Sequence, residues 1–269
     1  MRDEPASPSY DEFYKAFDTP LMQRLRHEAY GRDIGQHSWA TADELEQDIS
    51  RLNLTPASRL LDLGCGPGGL LTFIVAQACC RGFGLDSSAA AIASGRARAA
   101  AMNVEKVLTL QQADLNDPLP SPNSAFDAVL SVDVILHLRN RESVFQEVAR
   151  VLAPAGRFLF TDAGVLTGAI TDEEIRHRAL HGYTQFVPFG LNESALQCSG
   201  FRVLEQQDRT ASLLKNAAGR LAARLAHRSE LEKIESAADF DRRLRYLETV
   251  VALSQRGALS RIMYLGELV

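Results

Sequence analysis

The chain has 269 residues, of which 46% are hydrophobic and 23% charged, and its formal net charge is -5. This length and composition allow a substantial buried core and are ordinary for a globular protein. The acidic balance argues against a general nucleic-acid binder, which needs clustered Lys and Arg to neutralise phosphates. The sequence has neither the ~20-residue apolar run of a membrane-spanning helix nor a basic-then-apolar leader, and its four cysteines lack metal-type spacing. We therefore expect a cytoplasmic protein without a membrane or nucleic-acid partner.

The first 55 residues predict helices that come before the sheet. Thr19 and Pro20 are typical of a helix cap followed by the first helical turn. Thr41 and Glu44 fit a capping box, after which apolar residues recur at helical spacing. We assign residues 1–55 to an N-terminal helical lid over one edge of the core.

Residues 58–162 alternate short β-branched or leucine-rich runs with longer helical patterns. This alternation is typical of a parallel sheet with helices on both faces. Strands are predicted at residues 59–63, 82–86, 107–111, 126–131 and 157–161. Helices are predicted between them, at residues 69–80, 88–101 and 141–152.

After the fifth strand, the pattern predicts two insertions and two late strands. Residues 164–200 are rich in Gly, His and aromatic residues, and we expect them to form a cap over the substrate. A strand resumes at residues 201–204, a long helical stretch covers about 211–255, and residues 261–268 alternate like a final strand. The core would therefore span residues 56–269 and close only at its carboxyl end.

The turn after the first strand carries the strongest functional signal. Gly64, Gly66 and Gly68 allow the backbone to turn tightly and to approach a ligand without a Cβ in the way. Asp86 ends the second strand, where a carboxylate can accept hydrogen bonds from both hydroxyls of a ribose. The combination predicts a cofactor with a nucleoside part.

Two cofactor chemistries fit these glycines. With Gly69 as the third glycine, the pattern is also that of a dinucleotide site, so an oxidoreductase using NAD is the first alternative. Asp62 argues against it, because a carboxylate just before the turn would repel a pyrophosphate but would suit an ammonium or sulfonium group. A non-catalytic cofactor-binding protein is the second alternative.

Residues 62–68, DLGCGPG, resemble the first motif of the class I S-adenosylmethionine-dependent methyltransferases. Three more segments resemble motifs of that family in the same order: residues 113–115, ADL, which in the family read the adenine; residues 126–133, FDAVLSVD; and residues 152–157, LAPAGR. The resemblance implies an α/β fold with a doubly wound, mostly parallel, Rossmann-like sheet of seven strands, the last antiparallel. It also implies S-adenosylmethionine as the cofactor. Ala155 departs from the family pattern, since a glycine is usual there.

Residues 30–39, YGRDIGQHSW, resemble the lid of small-molecule methyltransferases, including sterol, sugar and phosphoethanolamine enzymes. In those enzymes the segment crosses the cofactor and meets its methionine carboxylate. Gln36 and Ser38 are candidates for polar contacts, and Tyr30 and Trp39 are either walls of the site or anchors of the lid. The candidate cofactor-binding residues are Tyr30, Gln36, Ser38, Trp39, Asp62, Gly64, Gly66, Gly68, Asp86, Ser87, Asp114, Leu115, Ser131 and Asp133.

Methyl transfer is an in-line displacement, so the protein mainly has to orient a nucleophile and exclude water. His137 follows the fourth strand at the edge where open α/β sheets bind ligands, and an unperturbed pKa of about 6.5 suits a general base. A histidine that caps the next helix or bonds a carbonyl is the alternative. Asp162 ends the fifth strand on the same edge. We expect it to orient His137 or bind substrate, or else to accept amides of the following turn.

The predicted acceptor is a small molecule methylated on oxygen, nitrogen or carbon. Aromatic residues between 175 and 189 predict a pocket for an apolar or aromatic acceptor. His177 and His181 lie four residues apart, as two metal ligands could, but without an acidic or cysteine companion, so no metal is expected. Arginines of the late helical stretch, Arg220 among them, alternate with acids and predict a solvated face. The acceptor's identity and a homodimer are left open.

Overall fold

The computed structural model describes residues 10–180 and 182–269, and these residues form one eight-stranded sheet covered by helices. The strands are β1 Arg59–Leu63, β2 Arg81–Asp86, β3 Leu108–Gln112, β4 Phe126–Val132, β5 Leu152–Leu166, β6 Val187–Pro188, β7 Phe201–Asp208 and β8 Leu259–Leu268. The helices are α1 Tyr10–Lys15, α2 Pro20–Tyr30, α3 Ala42–Arg51, α4 Gly69–Ala78, α5 Ala89–Ala101, α6 Arg141–Val151, α7 Asp172–Arg178, α8 Leu191–Cys198, α9 Thr210–Ala226, α10 Arg228–Leu231 and α11 Ala237–Gln255.

The main path of the sheet has seven strands in the order β3-β2-β1-β4-β5-β8-β7, and the two-residue β6 pairs with the end of β5. Strands β1 to β5 are parallel, while β8 runs antiparallel to both β5 and β7. The doubly wound sheet with an antiparallel last strand is therefore confirmed. Because the strand order reverses between β1 and β4, the crevice for a ligand lies at the carboxyl ends of these strands.

Local sequence signals account for most of the helix starts. The Thr19 hydroxyl accepts a hydrogen bond from the backbone of Met22, and Thr41 forms a complete capping box with Glu44. Both bonds satisfy amides that would otherwise lack a partner at a helix start. The late helical stretch differs from the prediction, because it divides into α9, α10 and α11, and α9 packs against α11.

The fifth strand is longer than predicted at both ends. Its first residue, Leu152, pairs with Phe126 of β4, and its last, Leu166, pairs with Leu259 of β8. Long-range pairing therefore extends a strand that local periodicity confined to residues 157–161. Within this strand, Ala155 adopts a left-handed backbone conformation, with φ of +60°.

Helices α1 and α2, which precede the first strand, are each held by contacts with another helix. The Asp11 carboxylate in α1 accepts hydrogen bonds from the Ser88 hydroxyl at 2.7 Å and the Ala90 amide at 3.0 Å, at the start of α5. Helix α2 packs on α9 so closely that a Cβ on Gly219 would collide with the backbone oxygen of Ala29. These contacts place α1 and α2 over the carboxyl edge of the sheet.

Candidate active site

A cavity of about 270 Å³ opens at the carboxyl ends of β1, β2, β4 and β5. Helix α1, residues 35–39 and side chains of α7, α9 and α11 also line it. Eleven of the predicted site residues line this cavity: Ser38, Trp39, Asp62, Gly64, Gly66, Asp86, Ser87, Asp114, Leu115, Asp133 and His137.

The glycine turn after β1 shapes the floor of the cavity. Gly64, Gly66 and Gly68 all have positive φ, of +74°, +52° and +69°. A Cβ on Gly64 would collide with the side chain of Val134, and one on Gly66 would lie 3.0 Å from the Tyr14 hydroxyl. Glycine is therefore required here both for backbone conformation and for space. Gly68 precedes α4 and does not line the cavity.

Two carboxylates form an acidic end of the cavity beside this turn. Asp86 accepts hydrogen bonds from the backbone amides of Gly66 at 2.8 Å and Ser88 at 2.9 Å. Burial raises the pKa of Asp86, although both amide bonds act in the opposite direction. Asp62, at 2% exposure, has its pKa raised to about 7 by burial and by the charge of Asp86. A nearby cation or hydroxyl donor would stabilise both carboxylates.

Asp114 lies at the exposed rim of the cavity after β3. Its Oδ1 accepts hydrogen bonds from the backbone and side-chain nitrogens of Asn116, at 2.9 and 2.8 Å. The backbone bond, followed by the side-chain bond, lowers the pKa of Asp114. Leu115 beside it is buried and gives this rim an apolar surface.

Asp133 connects residues 30–39 to the sheet. It has a φ of +60°, and its carboxylate accepts hydrogen bonds from the Trp39 amide, the Thr161 hydroxyl and Nε of Arg261, each at 2.8 Å. The Trp39 ring stacks on Tyr246 with ring centres 6.2 Å apart. Asp133 therefore fixes the position of Trp39 in the cavity wall.

His137 ends a single 3-10 turn after β4, and both of its ring nitrogens are bonded. Its Nδ1 lies 3.1 Å from the backbone oxygen of Tyr183, and its Nε2 lies 3.0 Å from the hydroxyl of Tyr10. A carbonyl oxygen only accepts, so we assign the proton to Nδ1, which leaves Nε2 to accept from Tyr10. Burial and then the charge of Arg178 lower the pKa of His137, while the Tyr183 bond opposes them.

The chain matches known proteins along the part that forms this cavity. The model of a methyltransferase domain matches residues 61–160. A glycine/sarcosine/dimethylglycine N-methyltransferase of Actinopolyspora halophila is 34% identical over 129 residues, covering 47% of this chain and 23% of that one. A sterol 24-C-methyltransferase of Schizosaccharomyces pombe is 28% identical over 195 residues, covering 68% and 48%.

Among solved structures, Haemonchus contortus phosphoethanolamine N-methyltransferase 2 in complex with S-adenosyl-L-methionine superposes with a TM-score of 0.79. The match covers 98% of this chain and 60% of that one at 17% identity. Residues 61–160 therefore match a methyltransferase domain, and the described residues have the fold of an S-adenosylmethionine-dependent methyltransferase. The chain spans less than half the length of each of these two relatives. The similarity to the solved structure shows that the two proteins share a fold.

The cofactor of this methyltransferase family is S-adenosylmethionine, and the acidic end of the cavity fits its chemistry. The molecule carries an ammonium, a sulfonium and two ribose hydroxyls. The buried Asp62 carboxylate, whose pKa is raised to about 7, would be stabilised by a positive charge beside it. Asp86 can accept further bonds from hydroxyls, because each carboxylate oxygen has two lone pairs and only one amide bond.

The structure does not bring Asp162 to the site, and the expectation that it orients His137 is wrong. Asp162 is fully buried, and its carboxylate accepts hydrogen bonds from Arg141 at 2.5 Å, Asn192 at 3.0 Å and the Gly164 amide at 2.8 Å. Asp162 therefore fastens α6 and α8 to β5. The alternative prediction, a carboxylate that accepts amides of the following turn, does not hold either, because β5 continues to Leu166 and Gly164 lies within it.

Three other predicted residues make structural contacts and do not line this cavity. Ser131 is fully buried and donates its hydroxyl to the backbone oxygen of Leu63 at 3.1 Å. The Tyr30 hydroxyl donates to the backbone oxygen of Ser38 at 2.9 Å. The Gln36 side chain accepts from the Ile34 amide at 2.8 Å and so closes a turn. Tyr30 and Gln36 line a smaller neighbouring cavity of about 70 Å³.

Several residues of the cavity wall were not predicted from the sequence. These come from helices outside the recognised motifs: Tyr10, Tyr14, Arg178, Arg220 and Tyr246. The expectation that Arg220 belongs to a solvated face is wrong, because its guanidinium lies 4.6 Å from the centre of the Trp39 ring. A signal for α1 did exist, since aromatic residues recur at positions 10, 13, 14 and 17, which is helical spacing.

Neither a cluster of metal ligands nor a membrane-spanning helix is found among the described residues. His177 is half-buried on α7, and His181 lies outside the described residues. In residues 10–180 and 182–269, no three or more His, Cys, Asp or Glu side chains are grouped as metal ligands would be. No helix within those ranges has the length and apolar character needed to cross a membrane.

Proposed function

We propose that this chain transfers a methyl group from S-adenosylmethionine to an oxygen, nitrogen or carbon atom of a small molecule, with His137 as the general base. The observation that carries the proposal is the neutral form assigned to His137. Its Nδ1 proton is held by the Tyr183 carbonyl, so its Nε2 is the nitrogen that accepts, and it accepts from the Tyr10 hydroxyl at the cavity wall.

We assign the acidic end of the cavity to the cofactor. Asp62 would lie near its positive charges, Asp86 would accept from its ribose hydroxyls, and Asp114 with Leu115 would border its adenine. When bound, S-adenosylmethionine supplies a methyl carbon already activated by a positively charged sulfur. The remaining task of the chain is to orient the nucleophile, remove its proton and exclude water.

Proton removal in this proposal involves Tyr10 as well as His137. The Tyr10 hydroxyl donates to Nε2 of His137, so a nucleophile either displaces that hydroxyl or passes its proton through it. Burial raises the pKa of Tyr10 well above its usual range, so Tyr10 stays protonated and can act only as a relay. His137 is the group that finally holds the proton.

We also propose that residues 1–55 act as a lid and residues 164–200 as a substrate cap. The described part of the lid supplies Tyr10 and Trp39, and the cap supplies the Tyr183 carbonyl. The backbone amide of Gln185 donates to the Leu136 oxygen at 2.7 Å, which holds the cap next to His137. The relatives include glycine, sterol and phosphoethanolamine methyltransferases, and this variety supports a small-molecule acceptor.

Binding and turnover together test this function. Titration calorimetry should give tight binding of S-adenosylhomocysteine and no binding of NADH. A panel of small metabolites incubated with S-adenosylmethionine should then contain at least one whose methylation releases S-adenosylhomocysteine. Binding of NADH without the adenosyl compound would favour an oxidoreductase. Binding without methylation of any acceptor would favour a non-catalytic cofactor-binding protein.

A further inference from the structure

The cavity wall also includes Arg178 of α7 and Arg220 of α9. We propose that this basic part of the wall binds an anionic group of the methyl acceptor, a carboxylate or a phosphate, and that Arg178 is the residue that holds it. The inference rests on the proposed function, because it assumes that the acceptor shares the cavity with the cofactor.

Arg178 is a buried cation with incomplete bonding. It is the last residue of α7 and only 3% exposed. One terminal nitrogen donates to the Tyr246 hydroxyl at 3.1 Å and the other to the Ala163 backbone oxygen at 3.2 Å, while Nε has no hydrogen-bond partner. Both acceptors are neutral. A buried charge is destabilising unless an opposite charge and full hydrogen bonding accompany it, so this guanidinium lacks an anion.

The nearby acidic groups do not supply that anion. Among the described residues, neither Arg178 nor Arg220 takes part in an ion pair, and Arg220 lies against the Trp39 ring. Glu235 is already shared by Arg224 and Arg243. Two guanidinium groups therefore line the cavity. Within the described ranges, no carboxylate lies close enough to form an ion pair with either of them.

The position of Arg178 favours the acceptor over the cofactor. Arg178 bonds to the end of β5, whereas Asp86 ends β2. The sheet order places these strands three positions apart, which is roughly 14 Å at the usual strand spacing. His137 follows β4, between them, so an acceptor with its anion on Arg178 would extend toward Nε2 of His137 and the cofactor.

An anion on Arg178 would also affect the base. The positive charge of Arg178 is one of the causes that lower the pKa of His137. Neutralising that charge would raise the pKa of His137 and make it a stronger proton acceptor when the acceptor is bound. Binding and proton removal are thereby connected through one side chain.

Matched probes test the proposal on the full chain saturated with S-adenosylhomocysteine. Phenyl phosphate, benzoate and the neutral benzamide are titrated separately, and binding is followed by calorimetry and by the fluorescence of Trp39, the single tryptophan of the chain. We expect one or both anions to bind about 10-fold or more tightly than benzamide, because charged hydrogen bonds are among the strongest available. The two anions distinguish a phosphate site from a carboxylate site.

Variants on α7 then assign the effect to one side chain. Arg178→Met should lower the affinity for the preferred anion about 10-fold or more and leave S-adenosylhomocysteine binding unchanged. Arg178→Lys, which keeps the charge without the planar fork, should give an intermediate loss. Arg176→Met is the matched control, since Arg176 is exposed on the same helix.

Four results would overturn the proposal. They are equal affinity for benzamide and the anions, no binding of any probe at millimolar concentration, unchanged anion affinity in Arg178→Met, and weakened S-adenosylhomocysteine binding in that variant, which would assign Arg178 to the cofactor. The comparison of probes on the unaltered chain does not depend on how a variant folds. If the unaltered chain failed to bind S-adenosylhomocysteine, the proposed function would fail instead.

Discussion

The two ring nitrogens of His137 have different neighbours, and the proposed role as a base depends on this difference. The Tyr183 carbonyl holds the proton on Nδ1, and Nε2 accepts from Tyr10. We predict that His137→Ala lowers kcat about 100-fold or more, the usual contribution of a general base, without changing the affinity for S-adenosylhomocysteine. Single-turnover methylation and calorimetry measure the two quantities. Tyr10→Phe is the companion variant, and it should lower kcat less because the imidazole remains.

The pH dependence of the reaction gives a second readout of the same residue. Only neutral imidazole accepts a proton, and the pKa of His137 is lowered from its ordinary value near 6.5. Activity should therefore rise with pH along an acid limb whose midpoint lies below about 6.5, and that limb should disappear in His137→Ala. Full activity in the variant, with the limb intact, would remove His137 from the mechanism.

Asp86 tests the acidic end of the cavity. Its oxygens each accept one backbone amide and can accept ribose hydroxyls as well. Asp86→Asn replaces one acceptor with a donor and removes the charge, so we predict a rise in the Kd of S-adenosylhomocysteine of about 10-fold or more. Calorimetry measures this Kd. The control is Asp117→Asn, because Asp117 is exposed and follows the neighbouring strand β3. Equal Kd values in the two variants would contradict the ribose assignment.

Ala155 is a site where one substitution should stabilise the fold. Its φ of +60° is unfavourable for a residue with a Cβ, and the side chain is exposed, so Ala155→Gly would lose little packing. The gain is partly offset by the greater freedom of glycine in the unfolded chain, so we expect the free energy of unfolding to rise by about 0.5–1 kcal/mol. Urea denaturation measures this free energy. Ala153→Gly, where φ is not positive, should destabilise, and the same sign in both variants would exclude the conformational explanation.

At the scale of elements, α1 is the least predictable part of the site and yet supplies Tyr10 and Tyr14 to the cavity. Its attachment depends on the Asp11 carboxylate at the start of α5. The Ala90 amide bond and then the Ser88 hydroxyl bond lower the pKa of Asp11. Their contribution to stability is therefore present above the ordinary carboxyl pKa and is lost as pH falls through the lowered value.

Removing this attachment should loosen α1 and leave the sheet intact. We predict that Asp11→Ala speeds hydrogen exchange in residues 10–15 and lowers kcat, because Tyr10 would no longer be held on His137. Exchange in β1 and β4 should not change, which makes these strands an internal reference. Unchanged protection of α1 would show that its aromatic contacts, such as that of the buried Tyr14, hold it without Asp11.

At the scale of the whole molecule, the cavity combines groups of opposite charge. The carboxylates come from β1 and β2, and the arginines come from α7 and α9. The sheet brings the carboxylates and His137 to one cavity, because adjacent parallel strands all present their carboxyl ends at one edge. A cationic cofactor and an anionic acceptor would therefore meet at the base.

The sequence alone determined the parallel sheet, the glycine turn and the acids at the strand ends. Each depends on local properties: the spacing of apolar residues, the positive φ that glycine permits, and a few side chains at fixed distances from the turn. The capping box at Thr41 and the first strand were predicted for the same reason. Residues 30–39 were also predicted to form a lid, but the contacts of Tyr30 and Gln36 were not, because local spacing does not say which way a side chain turns.

Only the tertiary structure decided the other half of the site. Tyr10 and His137 are 127 residues apart in the chain, and no spacing relates them. Asp162 bonds to Arg141 rather than to His137, and Arg220 faces Trp39 rather than solvent. These outcomes depend on which elements pack together, since the same carboxylate or guanidinium is catalytic, structural or solvated according to the partners that long-range packing brings to it.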